Sequence, residues 1–347
     1  MRGPEKQENP IAGTFALTLL KWFRENGREL PWRQTRDPYA IWLSEIILQQ
    51  TQVKQGWDYW ERFMRHWPKV EDLAAATEDE VLREWQGLGY YSRARNLHYA
   101  AKQIVALGHF PDTIEEIRQL KGVGDYTAAA IGSIAFGLSA AVVDGNVYRV
   151  LARHFGIDTP INTTEGKKLF AAMAQEILLP ALNREGQGAG LYNQAIMDFG
   201  AVQCTPQSPR CDVCPLMETC SAFREGRVGE LPVKQKTLVV KERHLIYIYA
   251  RCKGETPIRR RGPGDIWQGL WEPWLVDSSA EVPSGALPLR QNVRHVLTHR
   301  ILMADFYLLE TAEKPLLPPD YIWIKETELG QYAVPRLIEI LLESLTL

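Results

Sequence analysis

The 347-residue sequence lacks long hydrophobic runs and a strong excess of charge of either sign. No stretch of about 18 uninterrupted apolar residues occurs, so we expect no transmembrane helix. The formal net charge is −2, so any nucleic-acid partner must be bound by local basic patches rather than by overall charge. The first residues, MRGPEKQENP, are polar and lack an apolar signal core, which predicts a cytoplasmic protein.

Cysteine is scarce, yet four of the five cysteines lie close together with the spacing C-x6-C-x2-C-x5-C. Disulfides are not expected in a cytosolic chain, so this spacing favours a metal centre. A structural zinc site usually has two C-x2-C pairs, and this segment has one, which favours a four-cysteine iron–sulfur cluster while leaving zinc open. The distant Cys252 is predicted to be an ordinary core or strand residue. The four candidate ligands are Cys204, Cys211, Cys214 and Cys220.

The hydrophobic pattern changes once along the chain, which predicts an α+β protein of two parts. From Phe15 to about Ala222 the pattern is mostly helical. After LPVKQK, the segments TLVVKERHLIYIYARC and ILMADFYLLE alternate and are rich in Val, Ile, Tyr and Phe, which indicates strands. We therefore predict a helical domain over residues 1–226, a linker over 227–236 and a smaller mixed domain over 237–347.

Two glycines lie between two predicted helices in the stretch LKGVGDYTAAA, residues 120–130. The preceding helix, TIEEIRQL, begins with a capping box formed by Thr113 and Glu116. Glycines permit positive φ and a close backbone approach, and the amides at the start of the second helix favour an anion such as a DNA phosphate. The same pattern also fits a plain turn between two helices closed by glycine, and the two interpretations have about equal support.

Two carboxylates have surroundings that predict opposite protonation states. Asp144, in AVVDGNVYRV, lies at the start of a helix, where it is a predicted N-cap and the helix amides favour its ionised form. Glu45 lies in the predicted helix YAIWLSEIILQQTQ, which is apolar almost all round, so burial should raise its pKa and make it a proton donor. This combination is the pattern of acid-assisted glycosidic cleavage. The alternative for Glu45 is a structural acid paired with an arginine of RELPWRQTR.

Six motifs spread over nearly the whole chain resemble those of one enzyme family. They are LPWR, LSEIILQQTQV, GLGYYSRARNLH, LKGVGDYTAAA, VDGNVYRV and the four-cysteine array. Together they resemble the MutY-type adenine DNA glycosylases, which belong to the endonuclease III-like superfamily of helix–hairpin–helix glycosylases with an iron–sulfur cluster. The resemblance implies a bacterial, DNA-associated monomer with a [4Fe-4S] cluster. Its expected substrate is double-stranded DNA, from which it removes adenine mispaired with 8-oxoguanine or guanine.

The resemblance also implies a role for each matching catalytic residue. Glu45 matches the acid that protonates the flipped adenine at N7. Asp144 matches the carboxylate that stabilises the sugar cation, and Asn146 matches a neighbouring polar residue. Tyr126 stands where strand-cutting members have the lysine that forms a Schiff base. A phenol carries no amine, so we expect a monofunctional glycosylase in which Tyr126 hydrogen-bonds Asp144 or lines the sugar pocket.

Further residues are implied to contact the substrate. Gln194 is a candidate hydrogen-bonding residue of the adenine pocket. Gln50 and Tyr90 match residues that enter the base stack where the adenine has left, since a planar side chain can replace lost stacking. The alternative for the GYYS segment is a pair of core aromatic residues. The adenine pocket wall is matched by Leu30, Trp32 and Arg33. Phosphate contacts are expected at the hairpin residues Lys121, Gly122, Val123 and Gly124.

The strand-rich C-terminal part resembles the 8-oxoguanine-recognition domain of the family, which has a Nudix hydrolase-like α/β fold. The segment IRRRGPGDIWQGLWEPW resembles the approach to a Nudix box, but the following residues lack the Arg-Glu…Glu-Glu cluster that holds magnesium. Nucleotide hydrolysis is therefore not expected. The family reads 8-oxoguanine through a Phe-Ser-His loop, and Leu297, Thr298 and His299 stand in those places here. Thr298 keeps a hydroxyl, whereas Leu297 lacks the aromatic face.

Overall fold

A computed structural model of the chain describes residues 10–182, 188–235 and 240–345. The end of the predicted linker and the start of the predicted C-terminal domain, residues 236–239, lie outside the described residues. In the part of the chain that is described, no helix has both the length and the apolar character needed to cross a lipid bilayer.

The described chain up to residue 235 is helical, as its hydrophobic pattern predicts. It also contains short 3-10 turns at Pro31–Arg33 and Cys211–Val213 and a π-helical turn at Phe199–Gln203. The α-helices are α1 (Pro10–Asn26), α2 (Pro38–Ile47), α3 (Val53–His66), α4 (Val70–Ala75), α5 (Glu78–Glu84), α6 (Ser92–Leu107), α7 (Ile114–Ile117), α8 (Asp125–Ala135), α9 (Gly145–Phe155), α10 (Thr164–Leu182), α11 (Ala189–Asp198) and α12 (Ser221–Arg224).

Helix α2 is the most apolar element near the candidate site. Asp37 caps it by accepting a hydrogen bond from the Tyr39 amide at 3.0 Å. Every residue of the helix after Pro38 is buried, as its apolar pattern predicts. The helix ends at Ile47, so the prediction that it continues through the sequence QQTQ was wrong. These polar side chains cannot extend a buried face, and Gln50 instead has a left-handed φ of 59°.

Residues 240–345 form two β-sheets and a C-terminal helix. The elements are β1 (Lys241–Arg251), β2 (Glu255–Arg260), β3 (Trp271–Glu272), β4 (Trp274–Val276), β5 (Leu287–Val296), β6 (Arg300–Glu310), β7 (Tyr321–Lys325) and α13 (Arg336–Ser344). One sheet has the strand order β4-β1-β6-β5 and the other β3-β2-β7. The two segments predicted as strands become β1 and β6, which pair in parallel with Tyr247 opposite Phe306.

The chain divides into two compact units, which we call the first and the second unit. The first contains Met1–Gly56 and Gln103–Lys236, and the second contains Trp57–Lys102 and Thr237–Leu347. The helical segment 57–102 thus groups with the strand-rich part. Composition indicates secondary structure rather than tertiary contacts, so it contains no sign of this grouping. The division into a helical domain, a linker and a mixed domain stays a prediction.

Each unit has its own hydrophobic core. In the first unit, Val147 and Val150 of α9 are buried in a cluster with aromatic residues of α1, α10 and α11, so the start of α9 is held firmly. In the second unit, β1 and β6 pack against Leu337 and Leu341 of α13. Full burial of one large apolar side chain of this kind stabilises the folded state by about 1.5–3 kcal/mol.

Candidate active site

One cavity of the first unit brings together most residues predicted for the adenine site. Its volume is about 680 Å³, which lies within the usual range for small-molecule pockets. Tyr90, Leu297, Thr298 and His299 belong to the second unit and line a different cavity. The predicted residues that line the first cavity are Leu30, Trp32, Arg33, Glu45, Gln50, Tyr126, Asp144, Asn146 and Gln194.

Glu45 is a buried acid whose partner is a phenol. The Tyr126 hydroxyl donates to its Oε2 at 2.7 Å. Burial raises the pKa of Glu45 to about 7, although this hydrogen bond acts in the opposite direction. The predicted burial and raised pKa are thus confirmed. The alternative of an arginine partner was wrong, because Arg28 and Arg33 bind the carboxylate of Asp198 instead.

Tyr126 is placed by the first turn of α8 and points toward α2. Besides Glu45, its hydroxyl contacts the Met197 sulfur at 3.5 Å. The predicted hydrogen bond to Asp144 is therefore replaced by one to Glu45, while Tyr126 does line the cavity. Burial, together with the carboxyl groups of Glu45 and Asp144, raises the pKa of Tyr126 well above its ordinary value. The phenol consequently stays a neutral hydrogen-bond donor.

Asp144 caps α9, as its sequence predicts. Its Oδ1 accepts hydrogen bonds from the amides of Asn146 at 2.9 Å and Val147 at 2.8 Å. Its Oδ2 accepts one from the Asn146 side chain at 2.8 Å. Burial raises the pKa of Asp144, and these hydrogen bonds act against that rise without reversing it. The helix amides thus favour the ionised form, as the sequence predicts, but the net pKa is raised because burial outweighs them.

A buried arginine that the sequence did not indicate connects Asp144 with the cysteine segment. Arg149 donates to the Asn146 side-chain oxygen at 2.8 Å and to the Gly200 carbonyl at 2.6 Å. Its Nε donates to the Cys204 carbonyl at 2.7 Å. Arg149 therefore holds the side chain that binds the Asp144 carboxylate. The only signal in the sequence is the spacing of three residues from Asn146 to Arg149 along one helix.

A second residue missed by sequence reasoning is Asp198, whose side chain is fully buried. Its carboxylate accepts hydrogen bonds from the backbone and side chain of Arg28 and from both terminal nitrogens of Arg33. Burial acts to raise its pKa, but the hydrogen bonds from Arg33 and Arg28 outweigh burial and hold the pKa below its ordinary value. Asp198 therefore fixes the position of the Arg33 side chain, which lines the cavity.

The four predicted metal ligands surround one small cavity of the first unit, which Arg153 also lines. Burial, together with the other three thiols, raises the pKa of Cys214 to about 11. Thiolates in such a place need compensation by metal, so the donor set fits an iron–sulfur cluster. The described residues contain no group of three or more His, Cys, Asp or Glu side chains arranged for a single metal ion. Cys252 is buried beside β2, as predicted.

The hairpin between α7 and α8 has the predicted glycine geometry. Gly122 has a φ of 80°, which favours glycine. The Val123 amide donates to the Leu120 carbonyl, and the Lys121 amide donates to the Gln103 side chain at 2.7 Å. The amides of Lys121 and Val123 thus have partners within the protein. Phosphate binding by this hairpin stays a prediction.

The second unit has a cavity of about 510 Å³ that contains the other predicted contact residues. Leu297, Thr298 and His299 line it together with Tyr90, and the Tyr90 and Thr298 hydroxyls are 2.5 Å apart. Tyr90 has a φ of 47° and is 49% exposed, whereas Tyr91 is buried. Of the two explanations for the GYYS segment, the core position applies to Tyr91 and the surface position to Tyr90.

Three family models match the chain. Residues 43–176 match the HhH-GPD superfamily of base excision DNA repair proteins. Residues 204–220 match the iron–sulfur binding domain of endonuclease III, which confirms the predicted iron–sulfur cluster and favours iron over zinc. Residues 246–344 match the NUDIX domain. The predicted α+β class, with a helix–hairpin–helix glycosylase part and a Nudix-like part, is thereby confirmed.

The chain is also similar to characterised glycosylases. It is 44% identical over 228 residues to the adenine DNA glycosylase of Mus musculus, covering 62% of this chain and 43% of that protein. It therefore spans less than half the length of the mouse relative. It is 34% identical over 262 residues to the adenine DNA glycosylase of Buchnera aphidicola subsp. Schizaphis graminum, covering 74% and 73% of the two chains.

Solved structures with the same fold include two DNA repair enzymes. A thermostable thymine-DNA glycosylase is 30% identical with a TM-score of 0.57, covering 63% of this chain and all of its own. A non-covalent endonuclease III–DNA complex contains a protein that is 22% identical with a TM-score of 0.53, covering 64% of this chain and 99% of that one. The second likeness concerns the fold alone.

Proposed function

Because the chain belongs to the adenine DNA glycosylase family, we propose that it hydrolyses the N-glycosidic bond of adenine mispaired with 8-oxoguanine or guanine. The observation that carries this proposal is the placement of the Glu45 and Asp144 carboxyls in one nucleotide-sized cavity, with the pKa of Glu45 near 7. Double-stranded DNA is the proposed partner of a monomeric enzyme. A bacterial, cytoplasmic location stays a prediction.

The first step is departure of the base. Glu45 is about half protonated at neutral pH, so it can hold a proton and still release it. In the proposed step, this proton passes to N7 of an adenine flipped into the cavity. The bond between C1′ of the sugar and N9 of adenine breaks, and its electron pair goes to the purine. Protonation makes the base a better leaving group, which general acid catalysis typically accelerates by about 10²–10⁴-fold.

The second step concerns the sugar cation. Asp144 lines the same cavity, and its two oxygens are held by Asn146 and Val147. A developing positive charge at C1′ favours the ionised form of Asp144, which burial alone disfavours. Water then adds to C1′ and loses a proton to a carboxylate of the cavity. The products are free adenine and an abasic sugar with a hydroxyl at C1′.

We further propose that the enzyme leaves the DNA strand intact. A lyase of this superfamily needs an amine that attacks C1′ and forms a Schiff base. The residues that line the cavity in the described chain include no lysine, and Tyr126 remains a neutral phenol there. Lys121 lies on the other side of the hairpin glycines and is exposed. Its proposed role is contact with a phosphate.

Recognition of the opposite base is assigned to the second unit. Adenine is a normal base, so a pocket for adenine cannot by itself distinguish a mismatch. Thr298 offers a hydroxyl and His299 an imidazole in a separate cavity, and 8-oxoguanine differs from guanine in O8 and in the donor at N7. Each such hydrogen bond contributes about 1 kcal/mol. Replacing both residues by alanine should reduce the preference for 8-oxoguanine over guanine about ten- to thirtyfold.

The iron–sulfur cluster has a proposed structural role. When bound, it cross-links four cysteines of a segment with little secondary structure, and Arg210 lies in that segment. We propose that the cluster shapes this segment so that Arg210 and Arg224 contact DNA phosphates. Arg149 and Arg153 connect the segment to α9 through the Cys204 and Thr205 carbonyls.

An assay with one duplex tests the proposed reaction. The substrate contains adenine opposite 8-oxoguanine, and half of each sample is treated with hot alkali after incubation. Strand scission after alkali alone supports a monofunctional glycosylase. Scission without alkali would identify a lyase, and intact DNA under both conditions would identify a protein that binds the mismatch without chemistry.

A further inference from the structure

Trp267 has an unusual backbone conformation within the cavity of the second unit. Its φ is 61°, in the left-handed region that bulky residues rarely adopt. Such a conformation persists only where the surrounding structure compensates its cost, and it is concentrated at functional sites. The cavity that Trp267 lines also contains Tyr90 and Thr298. Trp267 as a whole is half-buried.

The side chains of Arg261 and His295 both contact the indole. The Arg261 guanidinium lies 5.7 Å from the Trp267 ring centroid, within the range of a cation–π contact. The His295 ring lies 6.1 Å away, tilted by 58°. Arg261 also donates to the carbonyl of Ile266, the residue before Trp267, at 2.9 Å. Arg261 therefore contacts both the indole and the backbone that precedes it, and His295 of β5 contacts the indole from a strand.

Asp265 connects the Trp267 segment with the loop that carries Thr298. Its carboxylate accepts hydrogen bonds from the Ile266 amide at 2.7 Å and from the Arg300 guanidinium at 3.0 Å. Arg300 follows Thr298 by two residues and begins β6. The backbone beside Trp267 and the side chain of Arg300 are thus held by the same carboxylate. Trp267 and Thr298 both line the cavity, so a ligand there can meet an aromatic side chain and a hydroxyl.

These features match the needs of a nucleobase. An aromatic side chain stacks on the π-face of any base, and a fixed hydroxyl can read a base edge. Leu297 in the same cavity has no ring, and the hydrogen bond between the Tyr90 and Thr298 hydroxyls leaves the Thr298 oxygen at least one lone pair for a base edge. We propose that Trp267 is a base-contacting residue whose indole stacks on the base opposite the adenine, with the edge of that base at Thr298. The inference rests on the proposed function, in which the second unit reads this base.

Binding measurements on four duplexes test the inference. In protein that carries Glu45→Gln to prevent turnover, the Kd is measured for adenine opposite 8-oxoguanine, guanine, thymine and a base-free tetrahydrofuran site. Loss of one base–aromatic stack should weaken binding about tenfold. We expect Trp267→Leu to weaken binding by this factor for the three duplexes that have an opposite base. Binding to the base-free duplex should change little, because no stack is lost there.

Two further variants separate stacking from a structural role. Trp267→Phe should retain most of the affinity, because phenylalanine keeps an aromatic face. Trp323→Leu removes an indole of the same unit outside this cavity and should leave all four affinities unchanged. If Trp267→Leu weakened binding equally with and without an opposite base, or weakened none of the complexes, Trp267 would not be a base contact.

The same data distinguish this inference from the proposed function. If the protein showed no preference for either purine mismatch over the thymine pair, the proposed function would fail. Trp267 would still be judged by the difference between the duplexes with and without an opposite base. If Thr298→Ala with His299→Ala left the preference for 8-oxoguanine unchanged, the loop assignment would fail. A base-dependent loss in Trp267→Leu would in that case still support stacking.

Discussion

Tyr126 donates a hydrogen bond to Glu45 from 81 residues away in sequence, with 2.7 Å between the phenol oxygen and Oε2. Burial favours the neutral carboxyl, whereas this bond favours the carboxylate. Their balance gives Glu45 a pKa of about 7. At neutral pH, an acid with this pKa can carry a proton and can also transfer it. The Tyr126 phenol therefore opposes the rise that burial causes in the pKa of Glu45.

Tyr126→Phe should change the pH dependence of base release. Release needs protonated Glu45, so the rate falls as pH rises through about 7. The variant removes the donor that favours the carboxylate, so the pKa of Glu45 rises and the falling limb moves to higher pH. Single-turnover rates across the neutral and alkaline range measure this shift.

The matched control for that experiment is Tyr192→Phe. Tyr192 is a fully buried phenol of α11 in the same unit, outside the cavity lining. Loss of the Tyr192 hydroxyl should leave the falling limb of the pH–rate profile at the same pH as in the parent protein. Coincident pH profiles for Tyr126→Phe and the parent would show that the hydrogen bond to Glu45 does not set the acid's pKa.

Asp198→Asn should destabilise the first unit. The change leaves Arg28 and Arg33 without a buried counter-charge, which typically costs about 3–5 kcal/mol. The folded pKa of Asp198 is lowered, so its contribution exists above the unfolded pKa and is lost as pH falls through the folded pKa. The variant should therefore lose stability at neutral pH and show a weaker further loss on acidification.

Urea unfolding at neutral and acidic pH measures this effect. Asp112→Asn, at an exposed position of the same unit, serves as the control and should change the unfolding midpoint little. Equal midpoints for the two variants would mean that the pairing of Asp198 with the arginines contributes nothing net to stability.

Cysteine substitutions should affect the metal selectively. Cys214→Ser removes one of four thiols around the small cavity and should greatly reduce bound iron. Cys252→Ser alters a buried thiol of the second unit and should leave the iron content unchanged. Metal analysis and visible absorbance of anaerobically prepared protein measure both. Stoichiometric zinc without iron in the parent protein would contradict the cluster assignment.

Local patterns in the sequence predicted the features that depend on neighbours in the chain. The apolar run around Glu45 predicted its burial and raised pKa, and the alternation after residue 240 predicted β1 and β6. The pairing of Asp198 with Arg33 was missed, since it joins residues 165 positions apart and leaves no local pattern. The cap formed by Asp144 was predicted, but the rise of its pKa was not, because capping is visible in sequence whereas the depth of burial depends on tertiary packing.

The most direct test of the central claim is the single-turnover rate of adenine release by Glu45→Gln on a duplex with adenine opposite 8-oxoguanine. The amide keeps the shape of the acid but has no acidic proton. We expect the rate to fall at least a hundredfold, about the usual contribution of a general acid, while mismatch binding persists. Glu165→Gln, at an exposed position of α10, should keep the parent rate. Retention of more than about a tenth of the parent rate by Glu45→Gln would contradict the role of Glu45 as the acid.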